Sequence, residues 1–358
     1  MEYRKILVRA TNWVGDAVMS LPALRAIRER FPMAEISILA KQSVADLYRR
    51  ESFCDWLIPY PALDLASKWR TARKLRASKF DCAILLQNAF EAAAIAFVAG
   101  IPERIGYARD GRSALLTKAI AVPRPGEIPP HQRFYYLELL RRAGIVTCVN
   151  DQLPSSDLIR LEGAPEARAM GIARFQKLGL TDGVIGVSPG AAYGSAKRWL
   201  PERFAGTANR VARELGATVA IFGSKDEREL CEAVAAAIQV KAWNFAGETT
   251  LAEFIDMAAA CRVYLTNDSG AMHIASALGV PTVAVFGATD DIATGPTGPL
   301  ARVIREKVEC SPCLLRECPI DHRCMTRVDA ARVAEAALDL LKWKAVDSEV
   351  DQEVDERG

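Results

Sequence analysis

The chain is 358 residues long; half of its residues are hydrophobic, a quarter are charged, and the net charge is +2. This balance is typical of a folded globular protein, and the length exceeds what one hydrophobic core usually supports, so we expect two domains. A signal peptide is not expected, because the first residues lead directly into a strand flanked by cations. No apolar run approaches the roughly 18 residues that a membrane-spanning helix needs.

Charge is distributed unevenly along the chain. Residues 1–150 hold 23 Lys and Arg against 14 Asp and Glu, whereas residues 347–358 hold 1 Arg against 6 acids. We expect the first half to present a basic face to an anionic partner, such as phosphorylated lipid, an acidic membrane surface or nucleic acid. The alternative is a merely solvated surface. The acidic end lacks apolar periodicity, so residues 345–358 are predicted to form a disordered tail.

Strand and helix patterns alternate through the first half, which predicts a parallel sheet covered on both faces. The predicted strands are Lys5–Arg9, Glu35–Ala40, Trp56–Pro59 and Cys82–Gln87, separated by helical stretches such as Leu24–Arg30 and Lys68–Ser78.

The turn after the first strand carries an acid, Asp16, at the start of a helix. Gly15 stands alone before it, so the Gly-x-Gly-x-x-Gly fingerprint of a dinucleotide site is absent and a Rossmann dehydrogenase is not favoured. Asp16 would lie at the carboxyl end of the sheet, where a general base can take a proton from a bound hydroxyl. The alternative role is a helix N-cap.

The second half repeats the alternation and predicts a second doubly wound domain. Its predicted strands are Val184–Ser188, Thr218–Phe222, Ala242–Phe245, Val263–Thr266 and Thr282–Phe286, and its predicted helices are Pro201–Leu215, Asp226–Ile238, Leu251–Ala260 and Ala271–Leu278. We therefore predict an α/β protein with domains at 1–165 and 166–327, followed by a helix over 328–344 that is a candidate to pack back on the first domain. Ligands bind beyond the carboxyl ends of such strands, so two facing sheets would place the active site in the interdomain cleft.

A glycine-bearing turn with two cations follows the strand Val184–Ser188. Gly190 and Gly194 let the backbone approach a ligand, and Lys197 with Arg198 can neutralise phosphate charge. The turn lacks the Gly-Lys-Ser/Thr ending of a P-loop. Plain surface cations are the alternative interpretation.

The segment from Val263 to Gly287 combines a strand, a turn, a helix and a second strand. A helix opened by Ser269 and Gly270 directs free backbone N–H groups and the positive end of its dipole beyond the strand end, which suits a diphosphate. An ordinary connection in which Asp268 caps the helix is the alternative. His273, one turn into this helix, either reaches the site or packs against the strands.

Four of the nine cysteines, Cys310, Cys313, Cys318 and Cys324, lie close together in the sequence with His322 among them. Their spacing does not match the paired two-residue knuckles of a zinc site. Reduced thiols are the commoner explanation for such cysteines, so no metal site is expected.

The chain resembles the family 9 glycosyltransferases, specifically the ADP-heptose:lipopolysaccharide heptosyltransferases, and most closely their type II members. The resemblance extends from Lys5 to about Leu341 and rests on three motifs in order, which together are far more specific than any one of them. They are Asn12–Asp16 with Leu21–Leu24, Pro189–Ala191 with Tyr193–Gly194 and Ala196–Trp199, and Asn267–Gly270 with His273. Type I enzymes have a Thr pair near the lysine, whereas this chain has Ala191, Ala192, Tyr193 and Ser195.

The resemblance implies a GT-B fold, with two facing Rossmann-like domains, the acceptor bound by the first and the nucleotide sugar by the second. It also implies transfer with inversion at the anomeric carbon, without a metal or other cofactor. By matching position, Asp16 is similar to the family's general base, Lys197 to the cation that stabilises the diphosphate leaving group, and Asp268 to the residue that holds the donor heptose hydroxyls.

The remaining predicted site residues follow from the same resemblance and from their turns. Donor binding is assigned also to Arg198, Glu227 (ribose), Ser269 and Gly270 (phosphate) and His273; acceptor binding is assigned to Asn12, Trp13, Arg109, Arg112 and Arg133. The three arginines lie in Gly-, Pro- and His-bearing turns rather than on predicted amphipathic helices.

We therefore expect an inverting enzyme that moves heptose from ADP-L-glycero-D-manno-heptose to the heptose of the lipopolysaccharide inner core. Its acceptor would be a Kdo-lipid A-heptose, met in the cytoplasm by peripheral contact with the inner membrane. The alternatives are a family 9 enzyme with another acceptor, of heptosyltransferase I or III type, and a catalytically silent nucleotide-sugar-binding protein, which needs no base at Asp16. A nucleic-acid partner is not expected, because no motif for one accompanies the basic charge.

Overall fold

The structure, a computed structural model, describes residues 2–60, 64–147 and 159–355, with side chains as far as residue 343. The chain divides into two compact units, Met1–Glu162 and Gly163–Gly358. We predicted the boundary after residue 165 and a separate helix after residue 327; the structure divides the chain slightly earlier and keeps that helix in the second unit.

The first unit is built on a six-stranded parallel sheet in the order β3-β2-β1-β4-β5-β6. The strands are β1 (Lys5–Arg9), β2 (Glu35–Lys41), β3 (Trp56–Tyr60), β4 (Cys82–Leu85), β5 (Glu103–Tyr107) and β6 (Lys118–Ile120). The helices are α1 (Val14–Met19), α2 (Leu21–Arg30), α3 (Gln42–Ala45), α4 (Leu65–Ser78), α5 (Phe90–Val98) and α6 (Gln132–Arg142).

The second unit has a second six-stranded parallel sheet, in the order β12-β11-β10-β7-β8-β9. Its strands are β7 (Val184–Ser188), β8 (Thr218–Ile221), β9 (Ala242–Asn244), β10 (Val263–Asn267), β11 (Thr282–Phe286) and β12 (Ala301–Arg305). Its helices are α7 (Ala164–Lys177), α8 (Pro201–Leu215), α9 (Arg228–Ala237), α10 (Leu251–Ala259), α11 (Gly270–Ala277), α12 (Asp291–Thr294), α13 (Arg323–Thr326) and α14 (Ala330–Asp355).

The central strands are buried on both faces, which confirms the prediction of parallel sheets covered by helices. Every residue of β7, β10 and β11 is buried. Gly186 in β7 is required by packing, because a Cβ atom there would lie 2.4 Å from the ring of Tyr264 in β10. In both sheets the strand order reverses at the centre, between β1 and β4 and between β7 and β10. Such switch points open a crevice at the carboxyl ends of the strands, where α/β proteins bind ligands.

The last helix, α14, is part of the second unit and is longer than predicted. Its buried side chains, Val333, Ala334, Ala337 and Leu340, belong to the core of the second unit. Their spacing of three or four residues forms one apolar face, which accounts for this packing. The helix also runs to Asp355, where we predicted disorder from residue 345, because residues 345–355 contain no Gly or Pro to end it. Residues 356–358 of the predicted tail lie outside the described residues.

None of the helices in the described part of the chain is both long enough and apolar enough to cross a bilayer.

Candidate active site

Two turns of the second unit meet at the carboxyl ends of β7 and β10. The turn after β10 leads through Asp268 into α11, which begins at Gly270. Ser269 is the N-cap, and its hydroxyl accepts a hydrogen bond from the Met272 N–H at 3.4 Å. Ser269, and not Asp268, therefore caps the helix. The Asp268 carboxylate is available for other interactions.

Asp268 pairs with Lys197 from the neighbouring turn. The Lys197 Nζ lies 2.5 Å from Asp268 Oδ2, and the Thr289 hydroxyl donates to the same oxygen at 2.5 Å. Asp268 is buried and the Lys197 side chain nearly so. A desolvated pair of this kind is costly to break from one side, because the remaining charge is left without a partner. Two of the residues that the sequence assigns to the donor, Lys197 and Asp268, are thus in direct contact.

Asn267 holds the two turns together. It is fully buried; its side-chain oxygen accepts the Trp199 N–H at 3.0 Å, and its amide donates to the Pro189 carbonyl at 2.7 Å. Asn267 belongs to the third sequence motif, but no role for it was predicted. A polar amide at the buried end of a central strand was the available signal, since such a group requires hydrogen-bond partners.

A further segment, residues 306–322, supports the Lys197 turn. Lys197 Nζ lies 4.9 Å from the centre of the Tyr193 ring, and the Tyr193 hydroxyl donates to the Leu314 carbonyl at 2.7 Å. The Arg316 carbonyl accepts the Ala196 N–H at 2.9 Å. A Cβ atom at Gly194 would lie 2.2 Å from that carbonyl oxygen, so only glycine permits this approach. Sequence reasoning missed the contact because it joins residues far apart in the chain.

The other predicted donor residues differ in their burial and in their hydrogen bonds. Arg198 is half-buried, its Nη2 donates to the Ala191 carbonyl at 3.4 Å, and its Nε has no hydrogen-bond partner among the described residues. Glu227 accepts hydrogen bonds from the Ser224 N–H and hydroxyl, both at 2.9 Å. Its carboxylate lies against Gly190, where a Cβ atom would be 2.0 Å from Oε1. His273 is buried within α11. Glu227 thus lies beside the Lys197 turn.

In the first unit Asp16 follows β1 as the third residue of α1, whose N-cap is Trp13. The N-cap alternative for Asp16 therefore does not hold. Asp16 Oδ1 instead accepts a hydrogen bond from the Tyr136 hydroxyl at 3.1 Å. Tyr136 is buried, and burial together with the Asp16 charge raises the pKa of its phenol well above the ordinary value. Tyr136 thus stays a neutral donor that orients the Asp16 carboxylate.

Asn12 and Trp13 lie beside Asp16 but in different environments. Trp13 is exposed, whereas Asn12 Oδ1 accepts a hydrogen bond from Arg9 Nη2 at 2.9 Å. Arg9 is a buried cation at the end of β1, 5.0 Å from the Tyr60 ring centre, and burial lowers its pKa to about 10. The Tyr60 hydroxyl donates to Glu91 at 2.6 Å. From the sequence, Arg9 is recognisable only as a strand residue, because its partners Tyr60 and Glu91 are distant in the chain.

Arg112 corrects another prediction. We assigned it to an exposed acceptor site, yet it is 0% exposed. Its Nε donates to the Tyr107 carbonyl at 2.9 Å, its Nη1 to the Gln87 carbonyl and its Nη2 to Asn88 Oδ1 at 3.2 Å. Burial lowers the pKa of Arg112 to about 10. The side chain ties together the loops after β4 and β5, because a buried guanidinium can satisfy several carbonyl groups.

The two other predicted acceptor arginines differ from Arg112. Arg109 is exposed, and a hydrogen bond with Tyr135 is the main reason that its pKa is raised. Arg133 is half-buried, with its guanidinium 4.6 Å from the Phe134 ring centre. Arg109 is therefore accessible enough to contact an acceptor, whereas the Arg133 side chain is only partly accessible.

The four clustered cysteines are free thiols. Burial, followed by the neighbouring thiols of Cys310, Cys318 and Cys313, raises the pKa of Cys324, so the four lie near one another. Even so, the described residues contain no group of three or more His, Cys, Asp or Glu side chains arranged to hold a metal ion.

Known proteins of one family are similar to this chain in sequence and fold. A model of glycosyltransferase family 9 (heptosyltransferase) matches residues 68–323. Lipopolysaccharide heptosyltransferase 2 of Escherichia coli K12 is 34% identical over 309 residues, covering 84% of this chain and 88% of that protein. Lipopolysaccharide heptosyltransferase 2 of Salmonella typhimurium LT2 is 34% identical over 310 residues, with the same coverage.

A solved structure extends the match to the fold. The structure of E. coli ADP-heptose lps heptosyltransferase II superposes with a TM-score of 0.80 at 30% identity, covering 95% of this chain and 99% of that one. The predicted GT-B class is thereby confirmed, and the chain belongs to glycosyltransferase family 9, the heptosyltransferases.

Proposed function

We propose that this protein transfers heptose from ADP-L-glycero-D-manno-heptose to the heptose of the lipopolysaccharide inner core, with inversion at the anomeric carbon. The observation that carries the proposal is the Lys197–Asp268 pair beside the start of α11, in a chain 34% identical to two enzymes named lipopolysaccharide heptosyltransferase 2. The second unit would bind the donor and the first unit the acceptor.

The donor half of the proposal rests on charge. The backbone N–H groups at Ser269 and Gly270 and the positive end of α11 would bind the diphosphate. Lys197 would move its charge toward the diphosphate, where negative charge grows as the bond to the sugar breaks, and Arg198 lies next to it. Asp268, relieved of part of this pairing, would accept hydrogen bonds from the heptose hydroxyls. Glu227, beside Gly190, would accept from the ribose.

The acceptor half assigns the proton transfer to Asp16. The acceptor hydroxyl oxygen would bond to the anomeric carbon as the carbon–oxygen bond to the diphosphate breaks, and ADP would leave with the electron pair. The hydroxyl proton would pass to the Asp16 carboxylate. Tyr136, 3.1 Å from Asp16 Oδ1, would hold that carboxylate in a single orientation. Asn12, Trp13, Arg109 and Arg133 would contact the acceptor.

We place this reaction at the cytoplasmic face of the inner membrane, with the protein in peripheral contact. The support is the basic first half, which holds 23 Lys and Arg against 14 Asp and Glu, since anionic headgroups and phosphorylated core sugars attract such a surface.

Turnover with ADP-heptose and a panel of defined core acceptors tests the proposal. We expect product only when the acceptor already carries the first inner-core heptose. Transfer onto an acceptor without heptose would indicate a heptosyltransferase of type I, and transfer only onto a core that carries two heptoses would indicate type III. Donor binding without transfer onto any of them would indicate a silent binding protein.

A further inference from the structure

Helix α4 is unusually basic for a helix on the outside of a folded unit. Lys68, Arg70, Arg73, Lys74 and Arg76 fall within its 14 residues, which include no Asp or Glu. Its buried face consists of small and apolar side chains, Ser67, Thr71, Ala72 and Leu75. All of the cations except the half-buried Lys68 are exposed. The helix is therefore amphipathic, with a positive outer face.

Large apolar side chains lie on the same helix and face solvent. Leu65 is 83% exposed and Trp69 58% exposed. They are four residues apart, so they are neighbours on one side of the helix, followed one turn later by Arg73. Trp together with Lys and Arg on an exposed helix is typical of segments that lie in a lipid–water interface.

Positive side chains of α4 also line a shallow pocket. Arg70 and Lys74 lie beside Ile58 and Pro59 of the edge strand β3, around a volume of about 250 Å³. Ser67 and Ser78 also line the pocket, but their hydroxyls donate to the Asp64 and Lys74 carbonyls, at 2.9 Å and 3.2 Å. No ion pair or side-chain hydrogen bond of the described residues occupies these two cations. A pocket lined by two cations suits a phosphate headgroup.

The start of α4 lies close to the acceptor end of the first unit. Lys68 forms an ion pair of 2.5 Å with Glu91 in the first turn of α5. Glu91 also accepts the Tyr60 hydroxyl, and Tyr60 lies against Arg9 at the end of β1. Leu65 and the exposed Phe90 begin these two helices. A lipid surface in contact with these two helix starts would therefore lie near the carboxyl ends of the strands, where Asp16 follows β1.

We infer that α4 docks on an anionic lipid surface, with Leu65 and Trp69 entering the interface and Arg70, Arg73 and Lys74 contacting headgroup phosphates. The inference rests on the proposed function, because it supplies the surface from which that function takes its acceptor. A nucleic acid would also attract the cations, but an exposed Leu gains nothing from a phosphate backbone. Burial of Leu65 and Trp69 in lipid accounts for both kinds of side chain.

Sedimentation of the full chain with vesicles tests the inference. We expect binding to vesicles of phosphatidylglycerol and phosphatidylcholine, and little binding to phosphatidylcholine alone. The triple variant Arg70→Glu/Arg73→Glu/Lys74→Glu should lose at least about tenfold in affinity, since each cation near an anionic surface contributes appreciably. Leu65→Ser/Trp69→Ser should also weaken binding, and higher salt should not restore it.

Helix α7 provides a matched control, because it also has 14 residues, with Met170 53% exposed and Arg168 and Lys177 exposed. Arg168→Glu/Lys177→Glu and Met170→Ser should leave vesicle binding unchanged. Equal losses in the α4 and α7 variants would overturn the inference, because they would indicate net charge rather than a surface. So would binding of RNA, and not of vesicles, that depends on the three α4 cations.

Turnover separates this inference from the proposed function. With the acceptor embedded in anionic vesicles, the α4 variants should lose activity in proportion to binding, whereas a deacylated, soluble acceptor should be used at the normal rate. Normal turnover of the embedded acceptor by the α4 variants would contradict the inference alone. Absence of turnover by the unaltered protein on both acceptors would contradict the proposed function, while vesicle binding still reports on α4.

Discussion

The Lys197 ammonium lies 2.5 Å from the Asp268 carboxylate, although the two residues come from turns after different strands. The strands β7 and β10 are neighbours, so the pair joins both turns at the point where the strand order reverses. Thr289 donates to the same carboxylate oxygen. Each of the two charges is therefore held by the other in this structure, and under the proposed function a diphosphate would offer Lys197 a second anion.

Replacing Lys197 should impair both folding stability and chemistry. We expect Lys197→Ala to lower turnover by about a hundredfold or more, because one charge-stabilising group typically contributes about 3 kcal/mol to such a step. The free energy of unfolding should also fall by about 3 kcal/mol, since Asp268 is left buried without its cation. Kinetics at varied donor concentration and urea unfolding measure the two effects.

Lys342 and Asp339 form a matched, exposed pair on α14, 3.6 Å apart. Lys342→Ala should change the free energy of unfolding by less than about 0.5 kcal/mol and leave turnover intact. If the donor kinetics of Lys197→Ala were unchanged, the predicted role of Lys197 in donor binding would be wrong.

Gly194 should be intolerant of a side chain. We expect Gly194→Ala to push Arg316 away, since the new Cβ atom would lie 2.2 Å from its carbonyl oxygen. The Lys197 turn would shift, raising the donor KM and lowering stability by about 1–3 kcal/mol. Gly206→Ala in α8 is the control, with its nearest contact at an ordinary 3.7 Å. That variant should be neutral or more stable; an equally mild Gly194→Ala would contradict the packing described here.

Arg109 and Arg112 should respond in opposite ways to substitution. Arg112→Ala should lower the free energy of unfolding by several kcal/mol, because the carbonyl groups of Tyr107 and Gln87 lose their buried donor. Arg109→Glu should leave stability unchanged and raise the acceptor KM, as should higher salt, since exposed charges are screened beyond about 8 Å at physiological ionic strength. If the acceptor KM did not depend on salt, the positive charge of the first half would not attract the acceptor and would serve solubility only.

Glu253 should make stability depend on pH. Its hydrogen bonds with Arg174 and Thr250 lower its pKa from 4.5 to about 2. A carboxyl whose pKa is lower in the folded than in the unfolded state stabilises the fold at pH values above its unfolded-state pKa. That contribution is lost as the pH falls toward the folded-state pKa. Glu253→Gln should therefore cost up to about 1 kcal/mol at neutral pH, because the amide keeps the capping box with Thr250 but loses the charge that pairs with Arg174. The difference from the unaltered protein should shrink between pH 4.5 and about 2 in urea titrations. A pH-independent difference would contradict this role.

The sequence predicted the fold where strands are buried and their patterns continuous. The bounds predicted for β1, β7 and β11 agree with the structure, because runs of β-branched and apolar residues between turn signals determine them. The short strands β5, β6 and β12 were not predicted. Several of their residues are only partly buried, so their apolar patterns are weak.

The candidate site was predictable only in its local parts. Turn residues such as Asp16, Lys197 and Asp268 are identified by their position after a strand. The burial of Arg112 was not visible, since it depends on carbonyl groups of other loops. The contact between Asp16 and Tyr136 joins residues 120 positions apart, which no local pattern encodes.

The most direct test of the account is heptose transfer by Asp16→Asn beside the unaltered protein, at saturating ADP-heptose and heptose-bearing core acceptor. An amide keeps the hydrogen bond from Tyr136 but cannot take the acceptor proton, so we expect transfer to fall by about 10² to 10⁴. Donor affinity should stay within about twofold, because no donor contact is assigned to Asp16. Transfer at the normal rate by Asp16→Asn would contradict the account.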